Sequence, residues 1–215
     1  VAAIASLGGT PAFIGKVHDD ELGQEFQRSI GAAGVDFFTT PLYQGPSTGR
    51  SIVLVTPDAE RSMFTYLGAA QKLSADDIDE NVIKSSRIIY LEAYLWDSAS
   101  AREAMFRACE LAHKYDRMIA FSLSDKSCIE RHRDEFCQFI DNEVDILFGN
   151  EEEIKSLYKQ DDLNKCLDMV KDKVEIAAIT RNAQGSVVVN KRIKIFIDAE
   201  KVEEVVDTTG AGDLY

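Results

Sequence analysis

Asp207-Thr208-Thr209-Gly210-Ala211-Gly212-Asp213 follows the strand-like run Lys201-Val202-Glu203-Glu204-Val205-Val206. Three small residues in a row let a backbone approach a ligand closely, because almost no side chain intervenes. A helix beginning at Gly210 would point its first, unpartnered N–H groups outward. Together with the helix dipole these make a cradle for an anion. Asp213 stands one step into that turn. A carboxylate beside an anion site is electrostatically out of place unless it has a task. The task that fits is to take a proton from a hydroxyl that attacks a phosphate. The bland alternative is a tight strand-to-helix corner capped by an aspartate.

Upstream, strands and helices alternate. Strand patterns fall at Arg87–Tyr94, Met118–Leu123, Asp145–Gly149 and Glu175–Arg181. Helix patterns fall at Ser98–Tyr115, Ser127–Ile140, Glu151–Tyr158 and Leu163–Lys173. Gly185–Ile197 reads as two adjoining strands with Asn190-Lys191 at their turn. Continuous apolar strands alternating with helices predict a mostly parallel sheet covered on both faces, a three-layer α/β/α sandwich. Right-handed crossovers then gather the loops after the strands on one edge, where ligands bind.

The first third has a different rhythm. Val1–Gly9 reads as the close of a helix stopped by a glycine pair. Pro11–Val17 predicts a short strand, and His18-Asp19-Asp20-Glu21 opens a helix with acids in its first turn. Val35–Thr40, Ser51–Pro57 and Arg61–Leu67 are strand candidates separated by Gly/Pro-rich turns, a small antiparallel sheet set off from the rest. Residues 1–34 and 68–215 are therefore expected to form the α/β core, and residues 35–67 the small sheet. Val1 is not Met, and Leu214-Tyr215 cut short the helix that Gly210 should begin, so the expectation is an internal piece of a longer chain, truncated at both ends.

A chain of 215 residues is ample for a sizeable core. A net charge of −13 argues against a nucleic-acid groove as the main surface. It leaves room for a nucleotide, whose phosphates are held by local N–H groups and a metal ion. Cys109, Cys128, Cys137 and Cys166 include no C-x-x-C pair, which argues against zinc. With no disulfide-like spacing and no signal peptide they point to a reducing cytoplasm. No apolar run approaches a membrane span.

The polar residues that follow the strands carry the chemistry. Asn150 and Glu153 open the helix after Asp145–Gly149, where they could cap it or bind a ligand. Thr180-Arg181-Asn182-Ala183-Gln184-Gly185 follows the next strand, and Asn182 tolerates the left-handed backbone a tight turn needs. Glu92 and Asp125 end two further strands on the same edge, as candidates to bond substrate hydroxyls. Tyr94 and Trp96 could face a base, with core packing the commoner use. His18, His113 and His132 read as solvated helix positions.

Asp207–Asp213, DTTGAGD, resembles the second signature of the ribokinase-like (PfkB) carbohydrate kinases. The resemblance implies that Gly210, Ala211 and Gly212 form the anion hole and Asp213 is the catalytic base, also touching the substrate hydroxyl. Asn150 and Glu153 match that family's N-x-x-E motif, which ties them to the phosphates and, through water, to Mg²⁺. Thr180 and Gly185 match its T-x-G-x-x-G turn, with Asn182 in place of the middle glycine. This assigns Thr180, Arg181, Asn182 and Gly185 to ATP. Asp207 and Thr209 would hold a monovalent cation, K⁺ in several members. The segment Gly8–Gly23 matches the first signature only in part. In the family the small sheet is a lid over the sugar, and it could also serve as a homodimer surface. Residues 48–70 and 90–97 look most like the bacterial adenosine-kinase-like branch. The expected function is transfer of the ATP γ-phosphate to a hydroxymethyl group of a sugar or nucleoside, adenosine or a related riboside favoured. No nucleic acid or membrane partner is expected. The alternative is a non-catalytic binding protein of the same descent, or an inactive fragment.

Overall fold

The computed structural model describes residues 1–56, 61–201, Gly210 and Gly212. The chain divides into two compact units, residues 83–201 and residues 1–82 with 202–215.

The larger unit is built on a six-stranded sheet. Its strands are β3 (Ile88–Glu92), β4 (Met118–Ser122), β5 (Ile146–Asn150), β6 (Ile176–Thr180), β7 (Ser186–Val189) and β8 (Lys194–Ile197), in that spatial order. The pairs from β3 to β6 are parallel, and β7 and β8 add antiparallel strands at the edge. The crossovers are α4 (Ala99–Lys114), α5 (Lys126–Glu143), and α6 (Glu151–Tyr158) with α7 (Leu163–Val170). Strands that keep their chain order, joined by right-handed crossovers, place these helices on one face of the sheet. That face is dry. Trp96 packs edge-on against Phe136 at 5.0 Å and Phe139 at 5.1 Å from α5, with Phe106 of α4 and Phe121 of β4 completing the cluster. Trp96, Phe121, Phe136 and Phe139 are all buried. On the other face β3 leaves Ile88 and Tyr90 exposed while Ile89 and Leu91 are buried. The mostly parallel sheet, with a separate small antiparallel one, is the α/β architecture that the sequence predicts.

Each helix starts where a short polar side chain can accept from its first turn. Ser98 caps α4, Asp125 caps α5 by accepting from Cys128 N at 3.0 Å, Asn150 caps α6 and Asp162 caps α7. Such caps satisfy N–H groups that the helix itself leaves bare. Cys109 and Cys166 are buried small side chains in α4 and α7, as read from the sequence.

The smaller unit holds α1 (Ala2–Ser6), α2 (Glu21–Ala32) and a two-stranded antiparallel sheet of β1 (Arg50–Val55) and β2 (Arg61–Tyr66). Helix α3 (Glu80–Ser85) spans the junction of the two units. Gly8, with φ +86°, ends the first helix as the glycine pair predicts. Pro11–Val17 and Val35–Thr40 are not regular strands. In and just beyond them the backbone pairs through two isolated parallel bridges, Ala12 with Asp36 and His18 with Leu42. Pro41 offers no N–H to extend the pairing and Gly15 no side chain to pack. Phe13, Phe26 and Phe37 cluster there, with centroids 5.5–5.9 Å apart. The predicted turn at residues 57–60 lies outside the described residues.

Candidate active site

The strand register places the candidate residues. Glu92 is opposite Ser122 at the ends of β3 and β4. Ser122 is opposite Phe148, and two residues further on Asn150 is opposite Thr180 at the last rung of β5 and β6. All four strands run the same way, so Glu92, Asp125, Asn150, Glu153 and the Thr180–Gly185 turn share one edge of the sheet. This is the edge where loops converge in a parallel α/β sheet.

Asn150 and Glu153 form a reciprocal capping box. Asn150 Oδ1 accepts from Glu153 N at 2.9 Å, and the Glu153 carboxylate accepts from Asn150 N at 2.9 Å and from Asn150 Nδ2 at 2.7 Å. The capping role read from the sequence is thus present. It does not use up the carboxylate, which has about four acceptor positions. Glu153 is only 7% exposed. Burial pushes its pKa up; the Asn150 N–H opposes this, while the Asp125 and Glu152 carboxylates push it further up. Nearby, the Tyr94 hydroxyl donates to Ser124 O at 3.2 Å. Its pKa is also raised, by burial and then by Asp125, Glu153 and Glu92. Three carboxylates therefore bear on one small region. A hard divalent cation held through water would relieve that field, and oxygen donors are what Mg²⁺ takes. The donors fit.

The turn after β6 is tight. Arg181 N donates to Gly185 O at 2.8 Å, and Gly185 N to Asn182 O at 3.1 Å. Asn182 takes φ +51° and Gly185 φ +79°. The left-handed geometry expected of Asn182 is the geometry found. A Cβ on Gly185 would lie 1.9 Å from Ile197 O, so the close approach of the β8 end requires glycine. The Arg181 side chain is already engaged. It donates to Gln184 Oε1 at 2.6 Å, lies 3.5 Å from Glu151 and stacks over Phe196 at 5.2 Å. It shapes the rim and would need to rearrange to reach a phosphate.

Asp125 spends one carboxylate oxygen capping α5 and is half-buried; Glu92 is exposed at the strand end. Trp96 is core, the commoner of its two readings. Gly210, with φ +77°, and Gly212 both lie in turns. Asp207, Thr209, Ala211 and Asp213 lie outside the described residues.

Two polar centres were not foreseen. In the smaller unit, Asp20 accepts from Gly23 N at 2.9 Å, Thr48 N at 2.9 Å and Thr48 Oγ1 at 2.6 Å. These bonds, with Thr48 first, hold its pKa down to about 2. The Asp20-x-x-Gly23 spacing signals the cap; Thr48 is too far along the chain to be paired with it by inspection. In the larger unit, His132 is not a solvated helix position. Its ring is 19% exposed and lies between Asp97 and Glu135.

The comparisons with known proteins show the family. The pfkB family carbohydrate kinase profile matches residues 1–215. The structure of adenosine kinase from Sinorhizobium meliloti is 44% identical with a TM-score of 0.95, over 99% of this chain and 65% of that one. A probable sugar kinase from Rhizobium etli CFN 42 is 41% identical with a TM-score of 0.95, over 99% of this chain and 64% of that one. The 5-dehydro-2-deoxygluconokinase of Geobacillus kaustophilus is 24% identical over 225 residues, 99% of this chain and 67% of the relative. The chain thus spans about two thirds of the length of its relatives. It belongs to the pfkB family of carbohydrate kinases.

Proposed function

We propose that the protein carrying this chain transfers the γ-phosphate of ATP to a hydroxymethyl group of a sugar or nucleoside, with adenosine or a related riboside the favoured acceptor. The observation that carries the reading is the rim at which Asn150 and Thr180 end neighbouring parallel strands, with the buried Glu153 carboxylate behind it. The likeness to an adenosine kinase supports the choice of acceptor.

In this reading Asn150 and the Thr180–Gly185 turn position the phosphates, while Glu92 and Asp125 orient acceptor hydroxyls. Asp213 takes the proton from the attacking hydroxyl. The N–H groups of Gly210, Ala211 and Gly212 stabilise the charge that grows on the transferred group. Mg²⁺, when bound, supplies positive charge to the phosphate oxygens, with Glu153 holding it through water. Asp207 and Thr209 would hold K⁺ beside the anion hole. The small β1–β2 sheet closes over the acceptor and excludes water that would otherwise take the phosphate. It also offers the surface for a homodimer. In domain terms, residues 35–67 are the lid and residues 1–34 with 68–215 the core.

The test is phosphate transfer from γ-labelled ATP to a panel of sugars and ribosides by the full-length protein. Asp213→Asn should keep ATP binding and lose turnover by orders of magnitude. Absence of transfer to every acceptor, or near-normal turnover in that variant, overturns the reading.

A further inference from the structure

Beside the proposed phosphate rim, the larger unit gathers three side chains of a different chemical kind. Asp97 closes the 3₁₀ turn Ala93–Asp97 that follows β3, while Cys128 and His132 are one helical turn apart on α5. An Asp97 carboxylate oxygen, Cys128 Sγ and a His132 ring nitrogen all lie within 4.8 Å of one another. Asp97 Oδ1 is 2.9 Å from His132 Nε2. Donor separations of this size approach what metal bonds of about 2.0–2.3 Å can bridge.

The surroundings orient the histidine. His132 presents its other nitrogen, Nδ1, to Glu135 Oε1 at 3.5 Å. A carboxylate on the far nitrogen is the usual orienting partner of a metal-bound imidazole. Glu135 is itself held by Trp96 Nε1 at 2.8 Å. Arg131 bonds both oxygens of Asp97, Nη2 to Oδ2 at 2.6 Å and Nε to Oδ1 at 3.3 Å, so the ion would share Oδ1 with the guanidinium. The α5 backbone departs from helical geometry at His132 itself, with φ −122° and ψ 19°. The mixture of thiol, imidazole and carboxylate selects ions of the zinc class and not Mg²⁺ or Ca²⁺.

We propose that Asp97, Cys128 and His132 bind a divalent transition ion of the zinc class, which staples the turn after β3 to α5. Cys128 is buried, and its thiol now donates to Ala93 O at 3.3 Å. Binding breaks the S–H bond, releases that proton to solvent and gives the sulfur lone pair to the ion; nothing is oxidised or reduced. Because Glu92 precedes this turn and Asp125 caps this helix, the ion would stiffen the two elements that carry them.

The experiment titrates Co²⁺ into the full-length protein and follows its visible spectrum. One equivalent should bind with tetrahedral bands and a sulfur-to-cobalt charge-transfer band, displaced by Zn²⁺ and not by excess Mg²⁺. Cys128→Ser should abolish the charge-transfer band. Asp97→Asn, at a half-exposed position, should weaken binding about tenfold or more while keeping that band. Glu135→Gln should weaken binding by about 10–100-fold. Zn²⁺ should raise the melting temperature of the wild type and not of Cys128→Ser. A charge-transfer band that persists in Cys128→Ser, or a natively folded wild type that gives no tetrahedral cobalt spectrum, overturns the proposal. If Cys128→Ser fails to fold, unchanged affinity in Asp97→Asn does so equally.

Discussion

Asn150 and Thr180 face each other across the last rung of the β5–β6 ladder, so the loops leaving those strands begin side by side. One loop is locked by the Asn150–Glu153 box, and the other by the Arg181–Gly185 turn. Two separately rigid loops starting from one rung can hold a bound group with little ordering cost on binding.

Replacing Asn150 tests the first loop. Asn150→Ala removes the cap and one donor to a buried carboxylate, so it should cost about 1–2 kcal/mol in urea denaturation. Asn150→Asp keeps an acceptor for Glu153 N but sets a second negative charge against Glu153. It should be the more destabilised of the two in metal-free buffer and regain part of the difference when Mg²⁺ is added. Equal stability of both variants with and without Mg²⁺ would argue against a cation at this edge.

Gly185→Ala tests the second loop. The new Cβ would meet Ile197 O, and φ +79° is itself unfavourable for alanine. A loss of at least ~2 kcal/mol is expected, combining backbone strain and displacement of the β8 end. Asn182→Gly, where the backbone already suits glycine, should cost less than ~1 kcal/mol and leave ATP affinity close to wild type. Thermal melts with ATP-binding titrations separate these outcomes.

These two loops also show how far sequence reading reaches. Asn150-x-x-Glu153 and Thr180–Gly185 were legible because each is a local pattern ending a strong apolar strand. The parallel sheet was legible because β3 to β6 pair in the order in which they occur. The run Pro11–Val17 looked like a strand, yet it finds only isolated rungs, because strandness depends on a partner that local composition does not reveal. Asp20 with Thr48, and Asp97 with His132, are meetings of distant residues created by folding.

Asp20 supplies a pH test. Its pKa in the fold is about 2, against an ordinary value of 3.8. A depressed carboxyl stabilises the fold above its unfolded value, and that contribution fades as pH falls from about 4 toward 2. Asp20→Asn should therefore be less stable than wild type at pH 6, with the gap narrowing across that window. A gap that stays constant down to pH 2 would show that Asp20 is not held by Thr48 and Gly23 as described.

The β1–β2 sheet supplies a test of assembly. Ile52 stands opposite Phe64, and both are more than 60% exposed, with Leu54 at 54% on the same face. A two-stranded ribbon with an apolar face is marginal without cover. If that cover is a second copy, Phe64→Glu should convert a dimer to a monomer in light scattering while leaving far-ultraviolet circular dichroism unchanged. The same mass for wild type and variant would reject this surface as the dimer contact.

The strand order of the larger unit has a consequence for synthesis. Each strand from β3 to β8 lies next to the one made just before it, so a chain emerging from the ribosome can add strands singly to an edge already in place. Among the described strands of this unit, none after β3 must wait for a distant mate, which shortens the period in which a growing edge could recruit a neighbouring nascent chain.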